Sequence, residues 1–490
     1  MIRWIFLLLY GSLAVLYLIL RLCRPLFFWV RKKGRRLQVL LNTGLSGARR
    51  FCSIPPRDMI GRILSSIIIL VQRQRPRALR GLFFLFLGCL RFRLSLMALR
   101  PGAAKGARKP SILFFAEGTA KKGQAPASRF RVYQYLPYLQ RAGISFKVCP
   151  SKPGKYFHVT ARFSRLTKKH GRLAQFLYLL GSYWMAYNRF LEAFFGGFRY
   201  DACFLQRELI PTPNLFVEMF VLSCFHKVVF DFDDSIFLRP SWANPEGGAL
   251  ADKGMERKIH YLVSRASQII VSNEFLKSKV ETINPRVAIL PTPVDTRYYL
   301  PVDRTRRADR PVIIGWVGTS GNLFYLKGVM GAFERLWEER KDFRLRVVCN
   351  IPDQDFGIPM NREFIEFREW KLAQEIKNFD EMDIGIMPLQ EDDWGRGKAG
   401  FKILQYMASG IPVVASPVGV NSTIVKTGEN GLLALTEEEW ICALNQLIDN
   451  PALRSQIGAA GRAHVEKHYS LEAMAPEFIR ILGSQINGRW

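Results

Sequence analysis

A chain of 490 residues, 49% of them hydrophobic, is long enough for two or three globular domains, so composition excludes a disordered protein. The formal net charge of +30 is uneven: residues 1–110 hold 22 basic residues and one acid, and the rest of the chain holds 49 basic and 40 acidic residues. A nucleic-acid-binding protein is therefore the less favoured interpretation, because most of the excess charge lies beside apolar runs. The eight cysteines include no Cys-x-x-Cys pair and the six histidines form no cluster, which argues against a zinc site and a disulfide framework and favours a reducing compartment.

The first apolar run, residues 2–20, has the length that a bilayer core requires. The basic residues that follow it place its C-terminal side in the cytoplasm by the positive-inside rule. Two shorter apolar runs, 59–71 and 81–90, are bracketed by arginines and are typical of interfacial helices. Residues 1–110 are therefore predicted to be a membrane anchor and basic interfacial segment on the cytoplasmic face of the membrane, single-pass or peripheral. A signal peptide, a transit peptide or a start codon assigned too far upstream are the alternatives.

From Ser111 onward, short β-rich runs alternate with helical stretches, which is the pattern of parallel α/β layers. A polar, proline-bounded stretch at 301–311 separates two such alternations. We predict an α/β protein with two Rossmann-like domains, residues 111–303 and 304–469, facing a central cleft, and a C-terminal crossover helix at 470–490. A cleft between two such halves is the expected ligand site.

Near the start of the first domain, Arg129 and Arg131 begin a predicted helix within residues 118–191, which hold 14 basic residues and no acid. Aromatic residues are interspersed with these charges. Such a surface suits an anionic membrane and a lipid-phosphate acceptor, so both arginines are assigned to an acceptor or membrane face. Core aromatics with scattered surface charge are the alternative.

Further along the first domain, the run KVVFDFDDSIFLRP ends a predicted strand with several aspartates. Carboxylates at the carboxyl end of a parallel strand face the cleft. Asp233 and Asp234 are therefore candidate catalytic residues, which would hydrogen-bond substrate hydroxyls or orient a base. An N-cap cluster is the alternative, and a metal-binding Asp-x-Asp motif is less favoured because it belongs to a different, single-sheet fold.

The second domain opens with the run VIIGWVGTSGNLFYLKG, a strand followed by a glycine-containing loop. Gly318, Ser320 and Gly321 would let backbone N–H groups approach a phosphate, and Lys327 would add a positive charge. A tight turn after a strand is the alternative interpretation of the same residues.

Later in the second domain, GRGKAGFKILQYMASG predicts a helix from about Lys398 that ends at Gly410. Lys398, Lys402 and Gln405 fall on one helical face, and the apolar residues fall on the other. Two ammonium groups and an amide near a helix N-terminus suit an anionic, hydroxyl-bearing ligand such as a nucleoside diphosphate. A solvated lysine face is the alternative.

These runs resemble, in order, the nucleotide-binding domain of the family-4 glycosyltransferases of the GT-B fold (glycosyl transferases group 1). The segments VAILPTPVDTRYY, IIGWVGTSGNLFYLKG, DIGIMPL and YMASGIPVVASPVGVNSTIVKTGENGLLA carry the resemblance over about 150 residues. The family's signature has two glutamates where this chain has Gly397 and Gln405. We therefore expect the lysines to contribute more to donor binding than they do in relatives.

The resemblance implies a hexosyltransferase-type enzyme that moves a sugar from a nucleotide-sugar donor to a glycan or lipid-linked acceptor in cell-surface polysaccharide assembly. It implies retention of anomeric configuration, no metal and no cofactor beyond the nucleotide-sugar co-substrate. Lys402 would act with Asp233 and Asp234 in catalysis. The donor would contact the residues Gly318, Ser320, Gly321, Lys327, Lys398, Phe401, Lys402 and Gln405. A catalytically silent scaffold with the same fold is the alternative, because the first acid of the signature is absent.

Overall fold

The computed structural model describes residues 109–119, 126–152, 185–197, 199–210, 213, 215–239, 250–302, 310–350 and 362–486. The predicted membrane anchor, apart from its last two residues, lies outside these ranges. Among the helices within them, none is long and apolar enough to span a bilayer.

The first domain is built on a six-stranded parallel sheet with the order β2-β1-β3-β4-β7-β8. Buried apolar side chains line its central strands, as expected for a sheet covered on both faces. Two further strands, β5 and β6, form a short antiparallel pair. The strands are β1 Ser111–Gly118, β2 Ser145–Lys152, β3 Ala202–Gln206, β4 Val228–Phe232, β5 Leu238–Arg239, β6 Leu250–Ala251, β7 Gln268–Val271 and β8 Val287–Ile289.

The helices of the first domain connect these parallel strands. Two of them begin at side-chain caps: Asp252 accepts hydrogen bonds from the N–H groups of Gly254 and Met255, and Asn273 accepts one from Leu276. Residues 185–196 are also helical, and residues Tyr133–Tyr135 form a 3₁₀ turn. The helices with defined bounds are α1 Pro126–Arg131, α2 Leu136–Arg141, α3 Phe216–Cys224, α4 Lys253–Arg265 and α5 Glu274–Val280.

The second domain has its own six-stranded parallel sheet, with the order β11-β10-β9-β12-β13-β14. The strands are β9 Val312–Gly318, β10 Phe343–Cys349, β11 Ile365–Glu369, β12 Ile384–Met387, β13 Val413–Ala415 and β14 Leu432–Leu433. The helices are α6 Met330–Glu339, α7 Glu375–Asp380, α8 Asp393–Arg396, α9 Phe401–Ala408, α10 Asn421–Ile424, α11 Glu437–Asp449, α12 Pro451–His468 and α13 Leu471–Ile486, and 3₁₀ segments cover Ser320–Val329 and Leu372–Gln374.

Helix α9 is anchored to the second sheet through Tyr406. Its ring lies against Gly385 of β12, where an added Cβ would come within 2.4 Å of the ring. Its hydroxyl accepts a hydrogen bond of 3.0 Å from the N–H of Val317 in β9. Because a buried hydroxyl needs a partner, this bond fixes the helix relative to the end of β9.

The chain crosses between the domains twice. It crosses first in the linker after Val294 and again at Ser470, and these two residues form a β-bridge. Beyond the second crossing, α13 packs on the core of the first sheet, where Phe478 stacks on Tyr135 with ring centroids 4.1 Å apart. Arg462 of α12 lies at the crossing and donates a hydrogen bond of 2.9 Å to the carbonyl of Thr296.

Candidate active site

Arg131 and Asp231 form a buried ion pair at the carboxyl end of β4. Each side chain is 1% exposed, and Nε of Arg131 lies 3.1 and 3.0 Å from the two carboxylate oxygens. Arg131 also donates to the carbonyl of Leu290 at 2.8 Å and to Oγ1 of Thr292 at 3.2 Å. A buried guanidinium is tolerated because these bonds satisfy it. The prediction that Arg131 lies on an acceptor or membrane face is therefore wrong.

Arg129, the second predicted surface arginine, connects the two domains. Its guanidinium lies 2.7 Å from a carboxylate oxygen of Glu375, and its side chain is 20% exposed. It also lies over the rings of Phe130 and Tyr298, at 4.7 and 5.2 Å from their centroids. Its charge is thus paired within the protein. Most of the other basic residues of 118–191 fall outside the described residues.

Asp233 and Asp234 follow β4 directly and lie at the edge of the sheet that faces the second domain. Oδ1 of Asp234 is 3.4 Å from Nζ of Lys398, which belongs to that domain. Burial, and then the neighbouring Asp234, raises the pKa of Asp233 to about 6, against the opposing effects of Arg131 and Arg207. Asp234 therefore lies against the second domain, and a catalytic role for either carboxylate stays a prediction.

Lys398 precedes helix α9 rather than lying on it. The helix begins at Phe401 because Gly400 has a φ of +65°, a left-handed conformation that interrupts the predicted helical face. Nζ of Lys398 lies 4.7 Å above the ring of Trp394, and its carbonyl accepts a hydrogen bond of 3.1 Å from Asn273 of the first domain. Lys398 is therefore positioned by contacts with both domains.

Lys402 is a half-buried lysine in the first turn of α9. Its Nζ lies 4.9 Å from the ring centroid of Trp316, and within the described part of the chain it forms no ion pair. Burial, followed by the charge of Lys398, lowers the pKa of Lys402 to about 7, and Asp234 opposes this effect. An anion placed here would restore the charge of Lys402, so the position suits a phosphate.

Gln405 and Phe401, on the same helix, contact other parts of the protein. Nε2 of Gln405 donates a hydrogen bond of 2.6 Å to the hydroxyl of Tyr299 in the linker. The ring of Phe401 lies 4.1 Å from that of Phe130 in α1. Gln405 is buried, whereas Phe401 remains partly exposed. Contact of either residue with the donor stays a prediction.

The glycine-containing loop lies at the end of β9. An added Cβ at Gly318 would come within 2.4 Å of the ring of Trp316, so Gly318 and Lys402 contact the same side chain. The N–H of Ser320 donates to Oδ1 of Asn350 at 2.9 Å. Gly321 follows in the 3₁₀ segment, which carries Lys327 in its last turn. Lys327 is exposed, and the structure places it in no ion pair with another described residue. A phosphate contact by Lys327 therefore stays a prediction.

Residues 393–398 of the second domain contact the first domain directly. Oγ of Ser235 donates to the carbonyl of Asp393 at 3.1 Å, and Nζ of Lys279 lies 3.0 Å from the carboxylate of Asp393. Gly397 lies against Ser235 as well. The facing edges of the domains thus meet beside Lys398 and Asp234.

Sequence reasoning missed the aromatic residues Trp316 and Trp394 and also Arg207. The two tryptophans lie beneath lysines, and Trp316 belongs to a run, GWVG, that has the pattern of an ordinary buried strand. Arg207 has a φ of +58°, the one positive φ at a residue other than glycine among the described residues. Its immediate neighbours in the sequence include no glycine or proline that would signal an unusual backbone.

Residues 311–450 match the family described as Glycosyl transferases group 1. Over 221 residues the chain is 28% identical to a D-inositol 3-phosphate glycosyltransferase of Corynebacterium aurimucosum, covering 40% of this chain and 50% of the relative. Over 106 residues it is 33% identical to a GDP-mannose-dependent monoacylated alpha-(1-6)-phosphatidylinositol monomannoside mannosyltransferase of Corynebacterium glutamicum, covering 21% of this chain and 28% of that relative. The chain thus spans half or less of these curated relatives.

Two solved structures share the fold. Sucrose-phosphate synthase from Thermosynechococcus elongatus superposes with a TM-score of 0.55 at 14% identity, covering 77% of this chain and 99% of that one. Anabaena HepE in complex with UDP and glucose superposes with a TM-score of 0.53 at 14% identity, covering 76% of this chain and 100% of that one. The second domain thus matches the group 1 glycosyltransferase family over residues 311–450, and the two parallel-sheet domains have the GT-B fold of these structures.

Proposed function

We propose that the protein is a glycosyltransferase that moves a sugar from a nucleotide-sugar donor to a hydroxyl of a glycan or lipid-linked acceptor. The observation that carries this proposal is the position of Lys398 and Lys402. Both lie beside the edge of the first domain, and Asp234 is the carboxylate that lies within ion-pair distance of Lys398. Lys398 and Lys402 beside one such carboxylate leave positive charge for a nucleoside diphosphate, whose binding would restore the full charge of Lys402.

The proposed reaction breaks the bond between the anomeric carbon of the donor sugar and a diphosphate oxygen. The nucleoside diphosphate leaves with the electron pair, and the acceptor oxygen forms the new bond to the anomeric carbon. Lys398 and Lys402 stabilise the negative charge that develops on the leaving group. Asp233 or Asp234 accepts the proton of the acceptor hydroxyl. A pKa of about 6 for Asp233 suits this role, because its carboxylate is mostly ionised at neutral pH.

Retention of configuration, and chemistry without a metal, are further parts of the proposal and rest on the resemblance alone. The names of the relatives support two substrate classes. One relative is named for GDP-mannose and a phosphatidylinositol mannoside, and the other relative is named for an inositol phosphate. We propose a lipid-phosphate-linked or glycan acceptor in cell-surface polysaccharide assembly. The apolar run at residues 2–20 supports a location on the cytoplasmic face of the membrane.

The proposal is tested by incubating the full chain with UDP-sugars and GDP-sugars, with and without a membrane lipid extract, and measuring the released nucleoside diphosphate. We expect release with one donor, stimulated by one acceptor fraction. Lys402→Met should abolish most of the release, and Lys426→Met, at an exposed position of the same domain, should not. The proposal that the reaction needs no metal is tested by adding EDTA, which should leave the release of nucleoside diphosphate unchanged.

The competing function is a catalytically silent scaffold. It is favoured by Gly397, which stands where the family's signature has an acid and has no space for a side chain. A scaffold would bind a sugar nucleotide in calorimetry without releasing a nucleoside diphosphate from any donor or acceptor combination. That result would overturn the proposed activity.

A further inference from the structure

Arg207 occupies a strained position at the carboxyl end of β3. Its φ is +58°, a left-handed conformation that residues with a side chain rarely adopt. Its N–H donates a hydrogen bond of 2.8 Å to the carbonyl of Asp231, which keeps it attached to the neighbouring strand β4. A strained backbone persists only where its surroundings hold it, and such positions cluster at functional sites.

The guanidinium of Arg207 lies among carboxylates from the ends of three adjacent strands. Its side chain is 24% exposed, and its nearest ion-pair contact is Oε2 of Glu208, 3.8 Å from Nε. Burial lowers the pKa of Arg207, but Glu208, Glu117, Asp234 and Asp233 together raise it above its ordinary value. One cation therefore interacts with several carboxylates at moderate distance.

This arrangement differs from the neighbouring pair of Arg131 and Asp231. That pair is buried and closely hydrogen-bonded, as expected of a structural ion pair. Within the described part of the chain Arg207 has no comparably close ion-pair partner, and its side chain remains partly exposed. Its N–H is bonded to Asp231, two residues before Asp233 in the adjacent strand, and both Asp233 and Asp234 interact electrostatically with its guanidinium. Its position suits an electrostatic role at the cleft better than a role in the core.

We propose that Arg207 is a positioning residue, whose guanidinium acts on the carboxylates of Asp233 and Asp234 at the carboxyl end of β4 and favours the ionised form of Asp233. The proposal rests on the proposed function, because those two carboxylates are the groups assigned to the acceptor hydroxyl. Arg207 would act through these two carboxylates, without taking part in the bonds that form and break during sugar transfer.

Among the described residues, several charged groups act on Asp233, and Arg131 and Arg207 favour its ionised form. Asp234 and Asp231 raise the pKa of Asp233, whereas Arg131 and Arg207 lower it. Because Arg131 is already paired with Asp231, the loss of Arg207 should raise the pKa of Asp233 further. The carboxylate would then be protonated over part of the neutral range.

The first experiment compares Arg207→Gln and Arg207→Lys with the full-length parent over pH 5.5 to 9. In Arg207→Gln the acidic limb of kcat should move to higher pH, with kcat lowered about two- to threefold at pH 7 and little changed at pH 9. The KM for the donor should stay within about twofold, because donor binding is assigned to the second domain. Arg207→Lys should recover most of kcat. Arg257→Gln, at an exposed arginine of α4, is the matched control.

A second measurement does not depend on activity. We compare the pH dependence of thermal unfolding for Arg207→Gln, Asp233→Asn and the double variant. The pKa of Asp233 is higher in the folded protein than in the unfolded chain. The free energy of unfolding therefore falls as pH rises between these two pKa values. Because Arg207→Gln raises the folded-state pKa further, this fall should continue to higher pH. In the Asp233→Asn background the substitution of Arg207 should change the pH dependence much less, and what remains comes from Glu208, Glu117 and Asp234.

An unshifted kcat profile for Arg207→Gln, with no coupling in the double-variant cycle, would overturn the positioning role. Failure of the proposed function gives a different result. If the parent releases no nucleoside diphosphate from any donor while the unfolding cycle still shows coupling, the electrostatic role of Arg207 stands and the transferase assignment fails.

Discussion

Ser235 of the first domain occupies the space that a side chain at Gly397 of the second domain would need. A Cβ added at position 397 would lie 1.9 Å from Oγ of Ser235 and 3.3 Å from its backbone nitrogen. The glycine therefore allows residues 393–398 to lie directly against the segment that carries Asp233 and Asp234. Restoring the acid that the family's signature places here would require this contact to open.

The first prediction is that Gly397→Ala destabilises the contact. We expect the free energy of unfolding to fall by about 1–3 kcal/mol, because the methyl group forces Ser235 and the adjoining loop to shift. Ser235→Gly should recover much of this loss in the double variant. Urea unfolding of the parent, both single variants and the double variant measures the coupling.

Gly328→Ala is the control for this prediction, since nothing lies within 4 Å of an added Cβ at that position. Its unfolding free energy should change by no more than about 0.5 kcal/mol. Equal effects at positions 397 and 328 would show that the contact with Ser235 is not the cause.

The second prediction concerns pH and Lys402. Because the folded-state pKa of Lys402 is lowered to about 7, a bound diphosphate should raise it and draw a proton from solvent. Nucleotide affinity should therefore weaken as pH rises from about 6.5 to 9, by up to about 1.4 kcal/mol per pH unit. Titration calorimetry in two buffers of different ionisation enthalpy measures the proton uptake directly.

Lys402 also affects stability without a ligand. A lysine whose folded-state pKa lies below its unfolded value makes the protein more stable as pH rises from about 7 toward 10.5. This rise should be smaller in Lys402→Met, and that variant should lose the proton uptake on nucleotide binding. A Lys402→Met variant that keeps the parent's proton uptake would assign the titration to another group.

The two sheets could be predicted from the sequence because each strand is a local signal. An apolar, β-rich run such as 312–318 is bounded by Pro311 and Thr319, and the strand appears there. Contacts between distant residues carry no such signal. Arg131 and Asp231 are 100 positions apart, so the sequence around Arg131 showed a basic surface where the structure has a buried pair.

The start of α9 could not be placed for a related reason. The pattern from Lys398 onward fits a helix, and only the left-handed conformation of Gly400 moves the start to Phe401. Glycine permits that conformation without requiring it. The contact of Asn273 with the carbonyl of Lys398 helps to hold the preceding loop, and this partner lies 125 positions away in the chain.

The third prediction is that Arg131→Leu destabilises the first domain strongly. Its loss leaves the buried carboxylate of Asp231 without its cation, which costs about 3–5 kcal/mol. The cost should shrink as pH falls, because protonated Asp231 needs no counter-charge. Arg131→Leu combined with Asp231→Leu should be more stable than Arg131→Leu alone. Chemical denaturation at pH 5 and pH 8 provides the measurement.

Arg129→Gln is the comparison for this variant. Arg129 is partly exposed and its ion pair with Glu375 joins the domains, so its loss should cost about 1 kcal/mol. A cost for Arg131→Leu no larger than that of Arg129→Gln would contradict the buried-pair account.

The last prediction concerns Gln405, which stands where the family's signature has its second acid. Gln405→Glu should keep a hydrogen bond to Tyr299, because a carboxylate accepts from the hydroxyl to which the amide now donates. The new carboxylate would be buried near Glu375, whose charge already raises the pKa of Tyr299 after the larger effect of burial. We therefore expect the introduced carboxyl group to have a raised pKa, and the variant to lose about 1–2 kcal/mol of stability at pH 8 and less at pH 5.

Nucleotide affinity distinguishes the two roles that Gln405 could have. If the side chain contacts the ribose, Gln405→Glu should preserve affinity, since either group accepts from ribose hydroxyls, and Gln405→Leu should lose it. If it serves only to hold the linker, Tyr299→Phe should reproduce the stability loss of Gln405→Leu, and both variants should bind the nucleotide like the parent. Calorimetry with the nucleoside diphosphate that the parent releases, together with unfolding at both pH values, separates these results. Equal affinity in the parent and in Gln405→Leu would remove Gln405 from the donor site and leave it as a residue of the domain crossing.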